Sequence, residues 1–169
     1  MITDIIGYYL LLLPAIFYLN DWMSDKTAWA KLLTFCGSSY VLVGSIGAAI
    51  LAVVWPALIT EHASASAAQQ ESITVSFRVV NDFVYGGLWN LLAMLFGGIW
   101  WLGVGAWLRP ENKVFGFVTI GLGAFTLLDG VGGILDARAL SELGLNVYLI
   151  LAPVGAIWYG IILAKRQRT

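Results

Sequence analysis

The chain has 169 residues, of which 60% are hydrophobic and only 11% are charged, and its formal net charge is −1. A soluble globular domain carries charges on roughly a quarter of its residues, because a polar shell must cover its core. This composition excludes an ordinary water-soluble globule and predicts a single integral membrane domain over residues 1–169, with the lipid bilayer as its first partner. The small net charge provides no field that would attract nucleic acid, so we predict no nucleic-acid partner.

Four apolar runs are long enough to be membrane spans, since about 30 Å of hydrocarbon takes about 20 helical residues. They cover about residues 32–58, 83–108, 114–135 and 143–164. A shorter run at 5–22 precedes them and is either a thin or tilted span, which we prefer, or an interfacial helix. The predicted fold class is therefore all-α, an integral membrane helical bundle of about five transmembrane helices.

The distribution of Lys and Arg predicts the orientation of this bundle. With five spans, Arg78 and Arg138 lie on one side. The other side receives the remaining seven basic residues: Lys26, Lys31, Arg109, Lys113, Lys165, Arg166 and Arg168. Basic residues concentrate on the cytoplasmic side of a membrane protein. The C-terminus is therefore predicted to be cytoplasmic and the N-terminus outside, in a multi-pass protein of the cell membrane.

The longest polar stretch, at about 60–82, lies on the outer side in this topology. Its first part is predicted to be a loop or a weak helix. In its second part, Ile73, Val75, Phe77 and Val79 alternate with polar residues, which is a strand period. Ile73, Phe77 and Val80 also fit one face of a helix. We prefer a helix that continues into the next span, because the sequence offers no partner strand.

Small residues recur at regular spacings in the last two spans. Ala152, Ala156 and Gly160 are spaced by four, and Gly116, Gly123 and Gly130 are spaced by seven. Helices in lipid associate where small residues allow close approach. These lines predict either packing within one chain or, alternatively, an interface with a partner subunit or a second copy.

One acidic residue, Asp129, falls within a predicted span, about fifteen residues and hence about 22 Å from the inner end. Acidic residues inside membranes commonly mark ion, proton or substrate paths. Four other polar side chains reach a similar depth and complete a hypothetical outward-facing polar pocket: Asn90, Asn146, Tyr148 and Tyr85. The alternative is structural, with Asp129 protonated, hydrogen-bonded between helices, or capping a helix end.

The sequence contains little that could carry catalysis. It has one histidine, His62, and one cysteine, Cys36, so a bis-histidine haem and a thiolate metal site are not expected in one chain. No nucleophile-elbow, phosphate-loop, zinc-protease or C-x-x-C pattern is present. We therefore predict no cofactor, no metal and no catalytic residue, and lean away from an enzyme.

Three features of the second half carry a resemblance to a known class. They are the span end Gly-Val-Gly-Ala-Trp-Leu-Arg-Pro at 103–110, the Gly-rich run at 115–133, and the terminal Ala-Lys-Arg-Gln-Arg at 164–168. This region resembles a group of uncharacterised bacterial polytopic membrane proteins, defined only as a domain of unknown function. The resemblance implies a small bundle in a bacterial inner membrane and supplies no activity or site residues.

Three functions compete on the sequence alone. The leading hypothesis is a non-enzymatic accessory or structural subunit of a larger membrane assembly, because the small-residue lines are prominent and catalytic groups are missing. The alternative is a small transporter or channel that uses Asp129 and Asn90. The second alternative is a protein that handles a lipid or a quinone.

Overall fold

The computed structural model describes residues 9–25 and 27–166, with side chains up to residue 161. Every regular element in these ranges is helical, which confirms the all-α prediction. In chain order the elements are α1 (Leu12–Ser24), α2 (Ala30–Ser64), α3 (Ala67–Asn81), a π-helical segment (Asp82–Ala93), α4 (Met94–Leu108), α5 (Lys113–Ile134) and α6 (Arg138–Arg166).

Four helices are long and apolar enough to cross a membrane: Ala30–Ser64, Ala67–Leu108, Lys113–Ile134 and Arg138–Ile161. They coincide with the four predicted runs, and the second of them combines α3, the π-helical segment and α4. In contrast, α1 has 13 residues. At 1.5 Å per residue it is about 20 Å long, shorter than the hydrocarbon layer. The start of the predicted run 5–22 lies outside the described residues, so its crossing and the orientation of the termini stay predictions.

The stretch predicted as an outer loop at 60–82 is almost entirely helical. Helix α2 continues to Ser64, and α3 begins at Ala67 after a break of two residues. At the break, Ser66 and Gln69 form a capping box, in which the Ser66 backbone N–H donates to Gln69 Oε1 at 3.0 Å. Ala, Gln and Glu favour helix, and the capping box provides the helix start. The preferred helix is thus confirmed over the strand, and the first part of the stretch is also mostly helical, which is one of the two structures predicted for it.

The internal contacts of the chain divide it into two compact units, Met1–Ala93 and Met94–Thr169. We call them the first and the second unit, and each is described by itself. The prediction of one domain over residues 1–169 stays a prediction.

In the first unit, α2 contacts α1, α3 and the π-helical segment. Four side-chain hydrogen bonds join it to these neighbours: Thr34 Oγ1 to Asn20 Oδ1 at 2.8 Å, Trp55 Nε1 to Asn81 Oδ1 at 2.8 Å, Gln70 Nε2 to the His62 carbonyl at 3.0 Å, and Trp89 Nε1 to the Gly44 carbonyl at 3.2 Å. In a lipid environment apolar contacts between helices gain little over contacts with lipid tails. These polar contacts therefore contribute to the specific arrangement of the first unit.

In the second unit, α5 packs between α4 and α6. The backbones of α4 and α5 approach closely at glycines on both helices. A Cβ placed on Gly105 would lie 2.6 Å from Ile120 N, and one on Gly123 would lie 2.5 Å from Leu102 N. Only glycine fits at these positions without moving a neighbouring backbone. Gly116 and Gly123 of the seven-spaced line thus face α4, and Gly130 is also buried.

The turn between α5 and α6 positions the polar site of the second unit. Asp136 adopts a φ of 51°, in the left-handed region that usually favours glycine. The Ala137 N–H donates to the Gly132 carbonyl at 2.8 Å, and the Asp136 N–H donates to the Gly133 carbonyl at 3.4 Å. This is the pattern of a Schellman motif, which satisfies the last carbonyls of α5 and reverses the chain. Helix α6 therefore returns along α5.

Candidate functional site

The buried side of α5 carries three polar side chains: Thr119, Thr126 and Asp129. The two threonine hydroxyls donate to carbonyls of their own helix, four residues earlier, at 2.9 and 2.7 Å. Asp129 is 0% exposed, and the hydrogen bond of its side chain comes from a residue outside α5. It is therefore the member of this row that connects α5 to another helix.

The partner of Asp129 is Ser141, in the first turn of α6. The Ser141 hydroxyl donates to Asp129 Oδ1 at 2.5 Å. Gly144, one turn further along α6, lets the two backbones meet, because a Cβ there would lie 2.5 Å from Asp129 N. The N-terminal end of a helix also favours a nearby carboxylate electrostatically. The hydroxyl of Ser141 and the bare backbone of Gly144 lie on the same face of α6, and both contact Asp129.

The second carboxylate oxygen of Asp129 has a different environment. Asp129 Oδ2 is buried, and no hydrogen-bond partner for it lies within the described residues. Buried polar atoms in proteins nearly always have a partner, because an unsatisfied one costs free energy. Among the described residues of the second unit, Asp129 Oδ2 is thus one of four buried side-chain polar atoms without a hydrogen-bond partner, together with Trp100 Nε1, Trp101 Nε1 and Tyr159 Oη.

The predicted polar pocket is only partly visible within this unit. Tyr148 is buried and lies on the same line of α6 as Ser141 and Gly144, with spacings of three and four residues. Asn146 is exposed and lies off that line. Asn90 and Tyr85 belong to the first unit. The structure thus brings Asp129 together with Ser141 and Gly144, and the five-residue pocket stays a prediction.

In the first unit, Tyr85 is part of a row of aromatic rings. It stacks on Trp55 with a centroid distance of 6.5 Å and meets Trp89 edge-on at 4.9 Å. Trp55 also stacks on Phe77 at 5.8 Å. The row joins α2, α3 and the π-helical segment, and it gives Tyr85 a packing role.

A separate aromatic cluster occupies the interior of the second unit. The Tyr159 ring lies 5.6 Å from the Trp101 ring and 4.6 Å from the Phe115 ring, and Trp100 and Trp101 lie 4.2 Å apart. The sequence analysis did not predict this cluster. The tryptophans were visible in the sequence, but nothing there indicated that they face inward.

Sequence reasoning missed Ser141, which is the observed partner of Asp129. A signal for it exists in the sequence, because Asp129 lies seven residues before Asp136 in the turn and Ser141 lies five residues after it. In a tight helical hairpin such residues face each other when both are on the inner side. The sequence did not indicate which side of each helix faces the other helix of the hairpin.

The small-residue line predicted on α6 does not follow the buried face of that helix. The buried residues of α6 up to Ile161 are Gly144, Tyr148, Ala152, Gly155 and Tyr159, with spacings of four, four, three and four. Ala156 and Gly160 are exposed, and nothing lies within 4 Å of a Cβ placed on Gly160. A strict spacing of four rotates about 40° around the helix at each step, so such a line leaves the buried face. Only Ala152 belongs both to the predicted line and to the buried face of α6.

Among the described residues, no group of three His, Cys, Asp or Glu side chains could hold a metal ion. No protein-family model, curated protein or solved structure matches the chain. The four apolar helices and the buried acid define the chain as a polytopic helical membrane protein. The resemblance of the second half to bacterial polytopic proteins stays a prediction.

Proposed function

We propose that this protein is a non-enzymatic accessory subunit of a larger membrane assembly, which it joins through the exposed face of α6. The observation that carries the proposal is the position of Ala156 and Gly160, which face away from the buried side of the helix. Small residues on a membrane helix allow another helix to approach closely. On this face they are available to a partner and are not used within the second unit.

The neighbours of these two residues shape a shallow groove. Ile157 and Ile161 are exposed large side chains beside Ala156 and Gly160. A second helix packs its side chains into the groove that small residues leave beside a row of large ones. The occupant proposed here is an apolar transmembrane helix of another subunit.

Pro153 adds a second, independent reason for a partner on this face. It lies within α6 and is exposed, like Leu149 one turn earlier. Proline has no N–H, so the Leu149 carbonyl lacks its usual helical donor. In hydrocarbon a backbone carbonyl needs a replacement donor, and neighbouring helices commonly provide one through Ser or Thr side chains. A partner helix with a hydroxyl at this level would pack against Ala156 and Gly160 and donate a hydrogen bond to the Leu149 carbonyl.

The proposal includes a location in the cell membrane of a bacterium, with the C-terminus in the cytoplasm. It is supported by the seven-to-two distribution of Lys and Arg. In the second unit, Arg109 and Lys113 lie at one end of α5 and Arg138 follows the other end. This distribution agrees with the positive-inside rule for the C-terminal half.

The test compares two Gly→Leu variants with the wild-type protein after purification in mild detergent. Gly160→Leu fills the proposed groove, whereas Gly121→Leu adds the same side chain where a Cβ meets no atom within 4 Å, outside the α6 face. We expect a defined subunit to copurify with the wild type and with G121L, and its yield to fall at least tenfold with G160L.

Size-exclusion profiles of the free variants provide the folding control, because both substitutions add bulk in open space. Equal retention of the subunit by G160L and G121L would contradict the proposal, as would a wild-type protein that purifies as a partner-free monomer. If the chain copurifies only with itself and G160L abolishes this, the face is a homo-oligomer interface, and the accessory-subunit proposal fails.

A second candidate function, a small transporter or channel, is favoured by one observation. Asp129 Oδ2 is buried, has no hydrogen-bond partner in the part of the chain that the structure describes, and lies inside a helix long enough to span the membrane. Intramembrane carboxylates of this kind bind protons or small cations in many transport proteins. In this candidate, Oδ2 is the binding atom and Ser141 holds the carboxylate in place through Oδ1.

Asp129→Asn tests this candidate, because the amide has nearly the same shape and carries no charge. Reconstituted in vesicles that contain a pH-sensitive dye, the wild type is expected to pass protons or sodium ions, and D129N to lose at least 90% of the flux. Flux indistinguishable from empty vesicles in the wild type, or equal flux in the two proteins, would rule the candidate out.

A further inference from the structure

An apolar groove lies between the C-terminal part of α2 and α3, in the first unit. Its volume is about 230 Å³, and six side chains line it: Leu58, Ile59, His62, Ile73, Thr74 and Phe77. Four of the six are apolar, and the two polar ones place an imidazole and a hydroxyl in the wall. A groove of this composition suits a molecule with an apolar chain and a polar end.

Contacts on both sides of the groove hold its two walls together. On one side, Trp55 Nε1 donates to Asn81 Oδ1 at 2.8 Å, and the Trp55 ring stacks on Phe77 with an interplanar angle of 24°. On the other side, Gln70 Nε2 donates to the His62 carbonyl at 3.0 Å. These contacts brace the groove, and of its apolar lining residues only Phe77 takes part in them.

The depth of the groove in the membrane follows from the charges of α2. Lys31 lies at the start of this helix, and Glu61 is the next charged residue along it. At 1.5 Å per residue the two are about 45 Å apart, which equals the thickness of a bilayer including its headgroups. Leu58 and His62 flank Glu61 and thus lie at the level of the headgroups.

The position of the groove favours a lipid chain as its occupant. The groove lies between two neighbouring helices at the level of the headgroups, where lipid surrounds the protein. An extended acyl chain is much thinner than an α-helix, which is about 10 Å wide, and enters a narrow groove lengthwise.

We propose that this groove binds a phospholipid of the adjoining leaflet. One acyl chain lies along the apolar residues, and the oxygens of the headgroup or of the ester face His62. The imidazole can donate a hydrogen bond to such an oxygen, whereas the Thr74 hydroxyl already donates to the Gln70 carbonyl at 2.8 Å. The site goes beyond the proposed subunit function and involves other residues.

The test uses phosphatidylcholine with a photoactivatable diazirine in one acyl chain, added to the protein in nanodiscs. After illumination, labelled peptides are identified by mass spectrometry, and labelling around Leu58–His62 is normalised to labelling of the exposed Phe117 region of α5. We expect the normalised labelling of the groove to exceed 1 severalfold in the wild type. Equal labelling of the two regions would overturn the proposal, because it indicates unselective lipid contact.

Two variants that fill the groove, Ile73→Trp and Leu58→Trp, are expected to reduce the normalised labelling at least fivefold. The matched control is Val75→Trp, since Val75 lies on α3 but outside the groove and is 55% exposed. Wild-type labelling in whichever groove-filling variant folds would overturn the site. His62→Leu keeps the groove apolar and is expected to reduce labelling about threefold, and unchanged labelling would overturn the role of His62.

Discussion

Replacing Gly144 by alanine is expected to destabilise the protein by about 3 kcal/mol. The added Cβ would lie 2.5 Å from Asp129 N, 2.7 Å from the Phe125 carbonyl oxygen and 2.9 Å from Asp129 Cα. All three are backbone atoms of α5, so no side-chain rotation relieves the collision. The helices must separate, which also lengthens the bond between Ser141 and Asp129.

The measurement is reversible unfolding of the purified protein in mixed micelles, with SDS as the denaturant. Gly121→Ala is the matched control, because nothing lies within 4 Å of its added Cβ. It is expected to change the free energy of unfolding by less than about 0.5 kcal/mol, as surface substitutions usually do. Similar losses in G144A and G121A would show that the close approach of α5 and α6 does not contribute to stability.

The second large effect is expected from the hydrogen bond between Ser141 and Asp129. Ser141→Ala should cost about 1.5 kcal/mol, because it leaves a fully buried carboxyl group without its donor. In an Asp129→Ala background the same substitution should cost far less, since the acceptor is already gone. The double-mutant cycle then gives a coupling energy of about 1–1.5 kcal/mol, near the upper end for membrane helices.

The same micelle titration measures this cycle. Ser76→Ala is a suitable control, since the exposed Ser76 hydroxyl bonds only to the Ser72 carbonyl of its own helix, at 3.1 Å. We expect it to be nearly neutral. A coupling energy below about 0.3 kcal/mol would show that the Ser141 contact is incidental.

The stability cycle alone does not separate the competing functions. A strong coupling between Ser141 and Asp129 is expected for either one, because the transporter candidate also uses Ser141 to hold the carboxylate through Oδ1. Only the transporter needs Oδ2 to bind an ion. The flux of the wild type and of D129N therefore separates the two functions.

Several elements could be predicted from the sequence because their signals are local. The four spans follow from the length and apolarity of each run, since the thickness of the hydrocarbon sets the length of a helix that crosses it. The helix at Ala67–Asn81 follows from residues with high helix propensity and from a capping box. For the first part of the polar stretch at 60–82 the sequence left a loop and a weak helix open, and α2 continues into it as far as Ser64 before α3 begins at Ala67.

The site was harder to predict because it depends on the direction in which each helix faces. Asp129 was recognised as an unusual acid within a span, but Ser141 was not recognised as its partner. Asn146 was included in the pocket on grounds of depth alone, and it is exposed on another face of α6. Depth along the membrane can be counted from the sequence, whereas the rotation of a helix about its axis cannot.

By itself the sequence determined the class of the protein, the positions of its four long apolar helices and the depth of its buried acid. Each of these depends on composition and on a count of residues. Only the tertiary structure decided that Ser141 and Gly144 meet Asp129, and that Ala156 and Gly160 face outward. The physical reason is that lipid tails and the protein interior are both apolar. The two faces of a membrane helix therefore differ little in hydrophobicity, and the packing of backbones at glycine decides which face is inside.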